Sequence, residues 1–206
     1  MKVQLINGSP HQRGCIHTIL EQAARCFASQ GIKTEEFWVG KSPISGCLDC
    51  KACKKNHTCI ITDNVNQFSA KAANADAFIF ASPVHYAGAS GSLTSFMDRL
   101  FYSNPRIFYG KPAAAIVNCR RDGAASAFDQ INKYFGISNM FTVGSQYWNQ
   151  VHGLTPDEVL TDEEGIQTIR TLCSNMAWLM QCIEAGAALG ISAPEYEVPL
   201  RTNFIR

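Results

Sequence analysis

VQLINGSPHQRGCIHTIL, residues 3–20, sets the architecture. Residues 3–7 are a short β-prone run that Gly8, Ser9 and Pro10 interrupt. From about residue 14, Ile16, Ile19, Leu20, Ala23, Ala24 and Phe27 recur on one helical face, and Gly31 stands where a helix C-terminus wants glycine. A strand that turns directly into a helix is the first half of a βαβ unit. The same alternation repeats along the chain. Strands are predicted at residues 34–39, 77–81, 112–118 and 140–143, and helices at 66–73, 92–101, 124–135 and 162–189. The runs AFIFA (77–81) and PAAAIVN (112–118) are continuously apolar, as strands buried on both faces are. Five strands alternating with helices define an α/β protein with a mostly parallel sheet covered on both faces.

Composition excludes several classes. The 206 residues are 46% hydrophobic and 17% charged, which suits one globular domain with an ample core. The net charge is +1, and no basic run exceeds Lys54-Lys55 or Arg120-Arg121, so no nucleic-acid footprint is expected. No apolar stretch is long enough to span a membrane. The opening MKVQLINGSP meets Gly8 and Pro10 too early for a secretion signal, so a cytoplasmic location is expected. In a reducing compartment clustered cysteines favour metal binding or catalysis over structural disulfides.

Such a cluster is present. Four of the nine cysteines, Cys47, Cys50, Cys53 and Cys59, lie within GCLDCKACKKNHTCIITDN, residues 46–64. The spacing C-x2-C-x2-C-x5-C presents three thiols from one tight loop, which suits the face of an iron–sulfur cluster. Structural zinc more often uses two separated cysteine pairs. A lone C-x-x-C redox pair would leave Cys53 and Cys59 unexplained. Cluster, zinc and a metal-free loop remain the alternatives at this point. Lys51, Lys54 and Lys55 would offset part of the charge of a thiolate-bound cluster.

In doubly wound sheets, ligands sit outside the carboxyl ends of the strands. Three strand ends here are rich in turn-forming and hydrogen-bonding residues. NGSPHQRGCIHT (7–18) lacks both G-x-G-x-x-G and the Walker pattern, yet small polar residues run straight into a helix N-terminus. Ser9 offers a hydroxyl there and Arg13 a charge. SPVHYAGASGS (82–92) brings Pro83, His85 and Tyr86 together, a set able to line a flat ring. NCRRDGAAS (118–126) is the third. One arginine of Arg120-Arg121 is expected near the ligand. Three such loops at one sheet edge suit a phosphorylated ring cofactor.

INGSPHQRGCIHTIL, ASPVHYAGASGSLTSFMDRL, NCRRDGA, YWNQVHG and the closing TNFIR together resemble the NADPH-dependent FMN reductase family of flavodoxin-like proteins. The resemblance implies a three-layer sandwich with a five-stranded parallel sheet of order 2-1-3-4-5. Residues 1–190 would form the FMN-binding domain, 41–62 a cysteine-rich insertion and 191–206 a C-terminal tail. It implies that Ser9, Pro10, Arg13, Gly14, Cys15, Ile16 and His17 hold the flavin phosphate. Pro83, Val84, His85 and Tyr86, with Asn118, Cys119, Arg120 and Asp122, would flank the ring and ribityl chain. His11-Gln12 stand where the family usually has Arg-Lys, and Cys15-Ile16 where it has Asn-Thr. Backbone N–H groups, Arg13, His17 or Thr18 would then carry the phosphate.

The function this implies is transfer of reducing equivalents from NAD(P)H through FMN to an acceptor. No catalytic side chain is assigned, because the flavin carries the chemistry. The iron–sulfur flavoproteins of the same superfamily are similar at the cysteine loop. That likeness implies a [4Fe-4S] cluster on Cys47, Cys50, Cys53 and Cys59 that passes electrons to FMN across a subunit interface, and a ferredoxin-type donor as the alternative partner. Aromatics near the loops (Tyr86, Tyr109, Tyr147, Trp148) and the long last helix suggest an oligomer interface, and the resemblance implies a homodimer or homotetramer.

Overall fold

The computed structural model describes residues 1–202 and Phe204; Asn203, Ile205 and Arg206 of the closing TNFIR stretch lie outside the described residues. The strands are β1 (Lys2–Asn7), β2 (Lys33–Trp38), β3 (Ala77–His85), β4 (Gly88–Ala89), β5 (Pro112–Cys119), β6 (Phe141–Thr142) and β7 (Gln150–His152). The α-helices are α1 (Cys15–Ala28), α2 (Cys53–Asn56), α3 (Asn64–Ala72), α4 (Gly91–Ser103), α5 (Ala124–Ile137), α6 (Pro156–Thr161) and α7 (Glu163–Ala188). A 3-10 turn, Pro105–Phe108, follows α4.

The sheet order is β2-β1-β3-β5-β6. That is the expected 2-1-3-4-5 order once the short hairpin strand β4 is set aside. The expectation of five strands needs correcting to seven, for two local reasons. First, β3 does not stop at Ser82-Pro83. It pairs in parallel with β5 as far as Pro83 opposite Asn118, then turns back on itself as a hairpin with β4. The missing N–H of Pro83 ends no strand here, because the chain beyond it finds its partner in β4. Second, the last strand is in two pieces. β6 pairs with the start of β5 and β7 with its end.

Strand periodicity divides the core. Ile6, Phe78, Phe80, Ala113, Ala115 and Val117 point to one face, under α3, α4 and α5. Val3, Leu5, Ala77, Ile79, Ala81, Ala114 and Ile116 point to the other, under α1, α6 and α7. The first face is aromatic: Phe37, Phe68, Phe78 and Phe96 interlock at one end, and Phe80, Phe101, Phe108 and Phe135 at the other. The alanines of β5 leave the room these rings fill. Across the second face α7 lays Ile166, Ile169, Leu172, Met176 and Met180 into the core.

The edge strand β2 is held by charge as well as by its ladder. Glu35 accepts hydrogen bonds from Lys2 of β1, Lys71 of α3 and the Gln4 amide. Lys2 foremost, then Lys71, draws its pKa down from 4.5 to about 2. A carboxylate depressed in the folded state stabilises it fully above the unfolded pKa and loses that contribution as pH falls towards the folded one. Urea unfolding is therefore expected to show wild type more stable than Glu35→Gln by a constant margin above about pH 5. The margin should shrink between pH 4.5 and 2; a margin independent of pH would contradict the assignment.

Candidate functional site

The carboxyl ends of β1, β3 and β5 lie side by side, since Asn7 pairs with Ala81 and Pro83 with Asn118. The loops after β1 and β3 are bound to one another. Gly8 N–H donates to the Ala81 carbonyl, the Ser90 hydroxyl donates to the Gly8 carbonyl, and Ser90 N–H donates to the Ser82 hydroxyl. Gly8 has no room for a side chain: a Cβ would sit 2.8 Å from Leu93 and 2.9 Å from the Ala81 oxygen. Only glycine lets the loop after β1 run this close to α4.

Within that loop Asn7 organises the backbone. Its Oδ1 accepts from Ser9 N–H, and its Nδ2 donates to the Gln12 carbonyl and to Glu36. The Ser9 hydroxyl accepts from His11 N–H, and the Trp38 indole donates to the Ser9 carbonyl. Pro10 to Arg13 remain exposed. Gly14 precedes α1 without a side-chain cap, and the first turn carries no acidic residue. The first-turn N–H groups of Cys15, Ile16 and His17 therefore have no intrahelical acceptor. By contrast α3, α4, α6 and α7 are each capped by a side chain: Asp63, Ser90, Thr155 and Asp162. The α1 terminus keeps open donors where an anion would be favoured. His17 is turned to the β2 side, where its Nδ1 lies 2.7 Å from Glu36, so its ring is committed to a carboxylate. Burial pushes the Cys15 thiol up.

The second loop is the hairpin tip. Tyr86 and Ala87, with φ of +49° and +59°, make a two-residue turn in the left-handed region, an arrangement that favours glycine or asparagine. Strained backbone of this kind clusters at functional sites. The tip rests on the third loop at Gly123 (φ +84°), where a Cβ would meet Ala87 Cα at 2.8 Å. His85 and Tyr86 are exposed, with Tyr86 standing fully in solvent. In the third loop the Asn118 amide donates to the Val151 and Gly153 carbonyls and locks β7 to β5. Cys119 is buried and its thiol is pushed up by desolvation, while Arg120 and Asp122 are exposed. His152 pairs with Asp162, in keeping with a structural role.

The cysteines lie beside the C-terminal half of α4. Cys47, Cys50, Cys53 and Cys59 line one cavity together with Arg99 and Tyr102 of that helix. α2 starts at Cys53, whose thiol is buried; desolvation pushes its pKa up, and the sulfurs of Cys50, Cys47 and Cys59 push the same way. Asp49, Lys51 and His57 take left-handed φ values that bend the loop around the thiols. Asp49 faces outward, to Lys51 and the Tyr102 hydroxyl. A groove of about 790 Å3 reaches Cys47 and Cys53 from outside, past Tyr102 and Tyr109.

Arg99 and Asp63, which the sequence reading did not single out as a pair, hold this loop. Arg99 is only 1% exposed. Its two terminal nitrogens grip the Asp63 carboxylate at 2.6 and 2.9 Å, one also donates to the Ile61 carbonyl, and its Nε donates to Cys59 Sγ at 3.3 Å. Burial opposes the charged guanidinium, but the bonds to Asp63 and Cys59 outweigh it and leave its pKa raised. Asp63 also caps α3 through Val65 N–H, and Asn66 donates to the Cys59 and Ile61 carbonyls. An arginine beside the apolar stripe Leu93, Phe96, Met97 and Leu100, with an acid just after the last cysteine, was the available signal.

The donor chemistry suits a thiolate-ligated centre, because no carboxylate or imidazole lines the cavity. Among the described residues, no group of three or more His, Cys, Asp or Glu side chains is disposed to hold a metal ion. A single zinc needs all its sulfurs about 2.3 Å from one point, whereas a cluster takes each thiolate on a different iron. The space among the thiols is about 20 Å3, roughly one water, and Cys47 and Cys50 stand exposed at its edge. Residues 41–52 include no buried residue, and Leu48 is 64% exposed. Ile44 nevertheless packs against the core, and the Ser45 carbonyl accepts from Arg99.

The fold is that of flavodoxin-like proteins. The description NADPH-dependent FMN reductase fits residues 1–154, and the chain belongs to that family. An iron-sulfur flavoprotein of Methanocaldococcus jannaschii is 31% identical over 195 residues, covering 89% of this chain and all of that protein. An iron-sulfur flavoprotein of Methanosarcina thermophila is 23% identical, covering 89% and 97%. Among solved structures, RosB with a bound 8-demethyl-8-formylriboflavin-5'-phosphate is similar over 100% of this chain and 93% of its own, with a TM-score of 0.71 and 16% identity. The apo form of the NADH:FMN oxidoreductase EmoB covers 86% and 89% (TM-score 0.64, 17% identity). At these identities the solved structures bear on the fold alone.

Breaking a buried ion pair by removing one partner costs about 3–5 kcal/mol, because the other charge is left uncompensated. Asp63→Ala is expected to destabilise the protein by that order in urea unfolding and to raise amide exchange across residues 57–66. A loss below about 1 kcal/mol would show that Arg99 is solvated and that the clamp is not as described.

Proposed function

We propose that the protein is an FMN-dependent oxidoreductase that also carries a cysteine-ligated iron–sulfur cluster. The observation that carries the reading is the conjunction on one α/β sheet of two features. One is an uncapped α1 terminus beside three adjoining loops; the other is a four-thiol cavity on α4. Residues 1–190 would be the flavin-binding unit, with 41–62 as the insertion that holds the thiols and 191–206 as the tail.

Bound FMN would supply the hydride and electron chemistry, and a cluster would add one-electron steps. In this reading Ser9, Arg13 and the N–H groups of Cys15, Ile16 and His17 bind the phosphate. Gly14, just before them, keeps the loop entering α1 close to it. His85, Tyr86 and Arg120 are offered to the ring side, while Pro83, Val84, Asn118 and Asp122 shape the two loops. Cys119 is buried beneath them. The family supports NADPH as donor, and the relatives named iron-sulfur flavoproteins support the cluster on Cys47, Cys50, Cys53 and Cys59. Eight residues of α4 separate Gly91, beside the flavin loops, from Arg99, about 12 Å at 1.5 Å per residue. The exposed Tyr86, Tyr147, Trp148 and Trp178 favour a homo-oligomer.

Protein purified without oxygen is expected to absorb near about 450 nm through bound flavin, to contain iron and acid-labile sulfide, and to oxidise NAD(P)H when given flavin or quinone. Absence of flavin binding would defeat the reading. Reduction by a ferredoxin-type donor but not by NAD(P)H would assign it instead as an electron carrier. Arg13→Ala should weaken FMN binding about tenfold, the loss of one charge-assisted phosphate contact at about 1.4 kcal/mol. An unchanged Kd would remove Arg13 from the phosphate site.

A further inference from the structure

The geometry points to Arg99 as a positioning residue that sets the reduction potential of a cluster on the four thiols, through its Nε–H bond to Cys59. The inference rests on the cluster reading given above. Arginines near anionic sites are usually exposed and mobile, but this one has no freedom. Asp63 takes its fork at 2.6 and 2.9 Å and the Ile61 carbonyl takes a further N–H, so Nε–H is aimed at Cys59 Sγ at 3.3 Å. The side chain is closed off from solvent. Asp63 neutralises the guanidinium overall but stands on the fork side, whereas the Nε–H dipole faces the sulfur. Hydrogen bonds to cluster sulfurs and exclusion of solvent are recognised determinants of cluster potential. A donor fixed on a ligand sulfur stabilises the more negative, one-electron-reduced state more than the oxidised one, and so raises the potential.

Cys59 is also set apart from the other three thiols. Its carbonyl is held by Asn66 and its sulfur by Arg99, whereas Cys47 and Cys50 lie in the exposed segment. Those two bonds tie Cys59 to α3 and α4, whereas Cys53, the buried thiol of the four, reaches only the Tyr102 carbonyl, at 4.0 Å. Lys51, Lys54 and Lys55 are exposed, and solvent screens them. Of the cations near the thiols, Arg99 is the buried one.

The test is a dye-mediated potentiometric titration, followed by electron paramagnetic resonance, on anaerobically prepared full-length protein and on Arg99→Gln and Arg99→Lys. Arg99→Gln is expected to shift the reduction equilibrium at least about tenfold towards the oxidised cluster, about 59 mV for one electron. The FMN potential should be unaffected. Arg99→Lys, which keeps the charge without the fixed fork, should shift it less in the same direction. If either variant fails to fold or loses iron, wild type grown on 15N-arginine gives an independent reading. Its reduced cluster should show hyperfine coupling to an arginine nitrogen in pulsed measurements. Iron and sulfide present with unshifted potentials, or no 15N coupling, would overturn the inference while leaving the cluster reading intact. Wild type with neither iron nor sulfide would overturn both.

Discussion

A buried guanidinium must have partners, and that requirement shapes the part of this molecule that distinguishes it from a plain flavin-binding sheet. Arg99 lies inside the protein on α4 with Asp63 as its counter-ion. Leaving the guanidinium alone in that setting would cost several kcal/mol. The pairing therefore dictates where residues 59–63 run, and with them Cys59. Asp63 makes the constraint stronger because the same carboxylate starts α3. The last cysteine, the helix that follows it and the helix beneath it form one unit, onto which the exposed segment 41–52 folds.

The other half of the site rests on close backbone approach. Gly8 admits α4 and the Ala81 carbonyl, and Gly123 admits the tip of the β3–β4 hairpin. Ser82 and Ser90 tie the loops together. Backbone donors at α1 are thereby left without partners at a defined place, and the strained Tyr86-Ala87 turn is held out into solvent. One helix, α4, spans both: it begins among these loops at Gly91 and reaches the thiol cavity at Arg99.

Much of this could be read in the sequence. Continuous apolar runs and three-to-four-residue spacing placed the principal strands and long helices to within a few residues, because strands buried on both faces and amphipathic helices leave strong periodic signals. The loops at the carboxyl ends could be picked out by their glycines, serines and prolines. The hairpin beyond Pro83, the split last strand and α2 could not. Each is only two to four residues long where it departs from the expectation, too short for any period. Nor could the commitment of His17 to Glu36, or of Arg99 to Asp63 across 36 residues, be seen in local pattern. Both are tertiary pairings between elements that only the sheet order brings together. The resemblance of the cysteine loop to iron–sulfur flavoproteins suggested what the thiols are for, but not which side chain anchors them.

The most direct test of a joint flavin and cluster centre counts electrons. Anaerobic titration of the full-length protein with dithionite, followed through its absorbance, should take up about three electrons per FMN: two for the flavin and one for a four-iron cluster. An uptake of two, complete when the flavin is bleached, would mean that the thiols clamped by Arg99 and Asp63 carry no redox-active cluster.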